Sequence, residues 1–160
     1  MTEQSEAYFG ELAEGVPHGR GTKLYANGNR YVGEWHGGAP HGRGTLLTGD
    51  GTCLAGIWEK GDMVFGSILT ASGARYVGGF KDMKSHGRGI LAASDEMQLI
   101  GEFTAGTMHG RGIMTTAEGI IEGTWEEGEF TGSGNFFLTE GRALTGRWEN
   151  GELKDMQEIE

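Results

Sequence analysis

The sequence repeats one unit along almost its whole length. The tetrapeptide His-Gly-Arg-Gly stands at residues 18–21, 41–44, 86–89 and 109–112, and aligning its four copies aligns everything around them. Units start at Tyr8, Tyr31, Leu54, Tyr76, Leu99 and Ile121, and a half-unit starts at Leu144, spaced by 22 or 23 residues. A period of this size means stacked supersecondary units, not a single globular core. Counting positions from the first residue of each unit, large apolar or aromatic residues fall at positions 1 and 5, and glycines at 3, 12 and 14. Every second side chain shares a face only in a strand. Turn signals at Asn27-Gly28, Asp50-Gly51, Ser72-Gly73, Glu118-Gly119 and Glu140-Gly141 separate the strands. Each unit therefore reads as a β-hairpin. The expected fold is all-β: one elongated, single-layer antiparallel sheet of tandem hairpins over residues 8–151, preceded by an extension (1–7) and followed by an acidic tail (152–160).

Comparing the copies gives an expected register. Position 4 set against position 13 pairs Glu11 with Arg20, Glu34 with Arg43 and Glu102 with Arg111, but, in the third unit, which is one residue shorter, Ile57 with Phe65, so both partners change character together. That register places Trp35 against Gly42 and Gly33 against Gly44. It explains why 32 of 160 residues are glycine. Glycine weakens a strand by roughly 0.5–1 kcal/mol relative to alanine, unless something must lie on the bare backbone. Rings at positions 1 and 5 are suited to that, and they put Tyr8, Tyr31, Trp35, Trp58, Tyr76, Phe80, Phe103, Trp125 and Trp148 on one face.

These residues carry a resemblance. The pattern YxGxW…GxxHGxG at this spacing, over about Tyr8 to Gly151, resembles the MORN (membrane occupation and recognition nexus) repeat, with six full copies and a half. The resemblance implies a twisted sheet of hairpins with a groove along one face, and a scaffold or adaptor role, often at cytoskeletal or membrane-associated structures. Three copies depart from the pattern. The third reads Met63-Val64-Phe65-Gly66, the fourth has Met83 where glycine is expected, and the sixth has Thr131 for histidine.

Composition narrows the function classes. Formal net charge is −10, and residues 118–160 hold 11 of the 23 acidic residues with 3 of the 13 basic ones. This balance opposes binding to nucleic acid. Cys53 is the single cysteine, which suits a reducing, cytoplasmic setting. No apolar run reaches the length of a membrane-spanning helix, and Met1–Gly10 lacks the pattern of a secretory signal. No catalytic residues, metal or cofactor are expected. Equivalent histidines in successive hairpins are roughly 10 Å apart, too far for one zinc ion. The Gly-Arg-Gly segments lie in strands, outside the strand-to-helix context of phosphate loops.

Three surfaces remain as candidates. The first is a groove over Tyr31, Trp35, Trp58, Tyr76, Phe80, Phe103, Trp125 and Trp148, which suits a partner helix or extended segment. The second is an apolar patch of Ile57, Met63, Val64 and Phe65. The third is a row of Arg20, Arg43, Arg88 and Arg111 that could contact anions, giving phospholipid binding as the alternative to a protein partner. At the C-terminus, Leu153, Met156 and Ile159 recur every three residues and suggest a short helix. The ends are thus expected to give either a helix-capped monomer or a homodimer.

Overall fold

The structure, a computed structural model, describes residues 5–149 and 152–159. Residues 1–4 of the expected extension lie outside the described residues. The chain divides into two compact units, 1–83 and 84–160. The first holds β1 (Ala7–Ala13), β2 (Val16–Leu24), β3 (Arg30–His36), β4 (Ala39–Leu47), β5 (Cys53–Glu59), β6 (Asp62–Leu69) and β7 (Arg75–Lys81). The second holds β8 (Lys84–Ala92), β9 (Gln98–Thr104), β10 (Thr107–Thr116), β11 (Gly119–Glu126), β12 (Glu129–Leu138), β13 (Ala143–Glu149) and β14 (Glu152–Ile159). In each unit every strand pairs antiparallel with the next in sequence.

The hairpin tips follow from local backbone chemistry. Among the described residues each tip has two residues, both with positive φ: Gly37 and Gly38 at 55° and 83°, Lys60 and Gly61 at 52° and 97°, Ala105 and Gly106 at 52° and 99°. This is the mirror-image turn whose twist matches the flanking strands, and it favours glycine at its second position. Met83 occupies that position after Asp82, with φ of 59°. A side chain in the left-handed region costs about 1 kcal/mol or more, so Met83→Gly should raise stability by about 1 kcal/mol. Denaturant melts of the two proteins check this directly.

Register agrees with expectation at the glycine rows and departs beside them. Gly10 opposes Gly21, Gly33 opposes Gly44, Gly56 opposes Gly66 and Gly101 opposes Gly112; Val32 opposes Thr45 and Ile100 opposes Ile113. Beyond the glycines, the return strand carries extra residues. Glu34 alone spans the stretch that His41 to Arg43 span on β4, so Trp35 opposes Pro40 and not Gly42. The expected pairing of positions 4 and 13 exists, but between consecutive hairpins: Arg20 opposes Glu34, Arg43 opposes Ile57 and Arg88 opposes Glu102. An antiparallel meander gives each strand two neighbours, and the bulge removes this pairing from one of them. The third hairpin is one residue shorter in its bulge, which is why Ile57 does meet Phe65 directly.

The C-terminal helix does not form. Residues 152–159 are β14, pairing with β13 through Leu144 and Glu158, Thr145 and Gln157, and Arg147 and Lys154. Leaving β13 as an edge would strand its outward amides and carbonyls, and a strand satisfies them where an eight-residue helix would not. The half-unit at Leu144 is therefore completed as a seventh hairpin by the segment expected to be a tail.

The core is a layer of side chains on one face of the strands. Tyr31 is 1 % exposed and Trp35 3 % exposed, and Trp58, Tyr76, Phe80, Phe103 and Trp125 are also buried. The rings meet edge to face: Tyr31 with Trp35 and Trp58 at 5.1 and 5.3 Å, Tyr8 with Trp35 at 5.3 Å, Tyr76 with Phe80 at 5.1 Å. Each such pair contributes about 0.5–1.5 kcal/mol beyond its burial. Polar ring atoms close on the backbone. The Tyr31 hydroxyl donates to the Glu34 carbonyl at 3.2 Å, and the Trp58 indole N–H donates to Gly44 at 3.0 Å.

Candidate interaction surface

Three of the seven hairpins start with tyrosine, and the others fill the same space differently. Tyr8 and Tyr31 lie over the paired glycines of their own hairpins. Leu99 and Ile121 are too short to do so. In those hairpins Met108, from position 10, lies over Gly101 and Gly112, and Phe130, also from position 10, lies over Gly123 and Gly134. Position 10 holds Pro17, Pro40 and Ser85 where position 1 is tyrosine, and Met63, Met108 and Phe130 where it is aliphatic. The sequence reading missed Met108 and Phe130 as core residues, although this exchange is visible in the aligned copies.

The same exchange relocates Met63. Expected on an exposed patch, it is 0 % exposed and belongs to the ring face. Val64 is half-buried. Only Ile57 and Phe65 stand out on the opposite face, with Phe65 57 % exposed. The bulge explains the division: Trp58 opposes Met63 on one face while Ile57 opposes Phe65 on the other, and Val64 is the extra residue between them.

The glutamates at position 4 serve the bulges. The Glu11 carboxylate accepts a hydrogen bond from the Arg20 backbone N–H at 3.0 Å and lies over Gly19, whose φ is 65°. Glu34 lies over Gly42 (φ 68°) in the same way. The expected Glu–Arg ion pairs within hairpins are therefore corrected: the carboxylates turn to backbone left unpaired by the bulge. Arg88 and Glu102, in neighbouring hairpins, approach to 3.9 Å with the Arg88 side chain 90 % exposed. Arg20, Arg43 and Arg111 are exposed as well.

With the rings buried, concave surface lies on the other face. Between the position 2/15 row and the position 4/13 row, the glycines leave only backbone as a floor. In the first unit this makes a shallow trough of about 490 Å³, lined by Arg20, Thr22, Val32, Glu34 and Arg43 over Gly21 and Gly33. In the second unit a trough of about 650 Å³ runs past Ile100, Arg111, Ile113, Thr124 and Asn135 over Gly101, Gly112, Gly123 and Gly134. Exposed Val32 and Ile100 give each trough an apolar wall. The expected groove residues are thus brought together, but their surface is taken up by one another; Trp148 is half-buried.

Repeats at 8–30, 31–53, 100–120 and 122–139 match the sequence profile of the MORN repeat, which together is just over half of the 160 residues. The chain belongs to the MORN-repeat family. MORN repeats are non-catalytic modules that generally mediate protein or membrane interaction. No curated protein matches the chain. The profile passes over residues 54–99, where the third MORN unit has lost its His-Gly, yet β5 and β6 pair through Gly56 and Gly66 as the matched units do.

Histidines of the MORN motif stand in the bulges. His36 lies between two of them, with ring centroids 4.9 Å from His18 and 5.6 Å from His41, at interplanar angles of 52° and 48°. Among the described residues no group of three His, Cys, Asp or Glu is placed to hold a metal ion.

Tyr31 adds a titration. Burial, then the Glu34 carboxylate, pushes its hydroxyl up from 10.0 to about 12. A folded value above the unfolded one means that the neutral hydroxyl's contribution is complete below pH of about 10 and is lost as pH rises toward about 12. An alkaline titration should show tyrosinate absorbance from Tyr31 appearing together with loss of strand circular dichroism; Tyr31→Phe should remove that late absorbance step.

Proposed function

We propose that this chain is a non-enzymatic cytoplasmic scaffold, acting where MORN proteins often act, at cytoskeletal or membrane-associated structures, and that it binds a protein segment along the trough face. The observation that supports this reading most is the trough itself. Its floor is bare glycine backbone, so a partner chain can approach closely, and its walls are aliphatic on one side and charged on the other, which favours an amphipathic helix or strand. Phe65 and Ile57 add an exposed apolar anchor on the same face. This places the contacts opposite the ring groove expected from the sequence.

A photo-crosslinking residue at Val32 or Ile113 should trap a partner protein, and one at Gly73, in the turn between the third and fourth hairpins, should not. Phe65→Asp should weaken the trapped partner's affinity by about tenfold or more, as loss of an anchor side chain does. Equal trapping from Gly73, or unchanged affinity, would sink the trough assignment.

The exposed arginines favour a second reading, an anionic phospholipid surface. Vesicles containing phosphatidic acid or a phosphoinositide should then float with the protein at low salt and release it at high salt. An Arg20→Glu, Arg43→Glu variant that floats as well as the parent would exclude this role for them.

A further inference from the structure

We propose that the bulge of the sixth hairpin, Thr131-Gly132-Ser133, binds a carboxylate, supplied by an acidic side chain of the protein segment that lies in the trough of the second unit. The inference deepens the trough function proposed above and rests on it. Three other hairpins show what such a bulge holds. Glu11, Glu34 and Glu102, each at position 4 of its own hairpin, bring a carboxylate over the position 12 glycines Gly19, Gly42 and Gly110. In the first of them the Arg20 amide donates to that carboxylate at 3.0 Å, a charge-assisted bond of the stronger kind. The bulge is thus a cradle for one carboxylate.

The sixth hairpin keeps the cradle and lacks the glutamate. Gly132 has φ of 71°, beside 65° at Gly19 and 68° at Gly42, and β11 and β12 shift register between Glu122 and Thr124. Position 4 is Thr124, whose side chain ends at its γ atoms, short of where a glutamate carboxylate reaches. Among the described residues, no atom beyond Gly132's own chain neighbours lies within 4 Å of a Cβ built there, whereas the Glu102 carboxylate lies 3.2 Å from one built on Gly110.

The flanking strands supply the charge. Arg111 opposes Thr124 and Arg147 opposes Ser133, so an arginine stands on each side of the bulge. Where Arg20 meets Glu34 across the strands, Arg111 meets only a threonine. Arg147 engages Glu149 through Nη2, which leaves further donors of a five-donor group. Arg111, Thr124 and Ser133 also line the trough of about 650 Å³, so the bulge opens into it. Glu122 and Glu126, both exposed, stand two residues to either side of Thr124 on the same face. They repel doubly charged anions and anionic membranes, so the site selects a single carboxylate received by directed donors over a phosphate.

Titration of the full chain with N-acetylglutamate α-amide should shift the NMR amide signals of Gly132 and Ser133 saturably. N-acetylglutamine α-amide, its neutral isostere, should bind about tenfold more weakly or worse. Thr124→Glu fills the cradle from within, as Glu11 does in the first hairpin. That variant should stay folded, lose the response to the probe, and hold the partner trapped at Ile113 about tenfold less tightly. The proposal is overturned by silent Gly132 and Ser133 signals, by equal binding of the two probes, or by inorganic phosphate binding more tightly at equal ionic strength. Probe binding or partner affinity unchanged in Thr124→Glu would overturn it as well. Failure of the underlying reading looks different: no partner is trapped at Val32 or Ile113 while the probe still binds, and the cradle stands without the partner.

Discussion

Gly33→Ala should lower stability by about 3 kcal/mol, and the melting temperature by roughly 10 °C. A Cβ built on Gly33 would sit 2.5 Å from the Gly44 Cα and 2.6 Å from the Arg43 carbonyl oxygen, and 2.8 Å from the Tyr31 hydroxyl. Two of these three obstacles are backbone on the paired strand, so no rotamer change relieves them. Gly73→Ala is the control. It has no atom within 4 Å and only its φ of 91° to pay for, about 1 kcal/mol. Equal losses in the two variants, measured by urea unfolding, would mean that close packing over the glycine rows does not hold the hairpins together.

The second large effect is a coupling. Leu99→Tyr alone should destabilise by about 1–3 kcal/mol, because the new ring enters the space that Met108 fills over Gly101 and Gly112. Met108→Ser alone should cost about 2–5 kcal/mol through the cavity it leaves. Together they recreate the arrangement of the tyrosine-type hairpins, in which position 10 is small and the hydroxyl reaches the position 4 carbonyl, as in Tyr76 to Gly79 at 3.1 Å. The double variant should therefore lie within about 1 kcal/mol of the parent, an interaction energy of at least about 2 kcal/mol. Additive losses would show that the two residues do not share one site.

Hairpins, tips and glycine rows were legible because the copies test one another. Gly33 and Gly44 recur with their partners, so chance is removed by repetition. The Glu–Arg pairing was half legible: the residue types are complementary, but sequence does not say which of two flanking strands a residue faces, and the bulge that decides it leaves no composition signal beyond Gly42 and its φ. Met63 was misplaced because a single copy was read alone. Set against Leu54 it marks a core position, by the same exchange that links Met108 with Leu99. Residues 152–159 misled because Leu153, Met156 and Ile159 recur every three residues, while the edge of β13 that needed a partner is a feature of the folded sheet only. The exposed trough followed from burial of the rings, and no sequence pattern states how much surface rings consume on one another.

Four hairpin tips reach back to the hairpin before them. Gly38 donates to the Pro17 carbonyl at 3.0 Å and Gly61 to Pro40 at 2.9 Å; Gly106 and Gly128 reach Ser85 and Met108 likewise. Tips that would otherwise fray are thus buttoned to their predecessors, one amide at a time. Under tension or limited proteolysis, such a sheet should yield from an end in steps of one hairpin, each step removing a button and exposing the next. Resistance then grows with the number of hairpins still fastened, a property of a zip fastener more than of a globule.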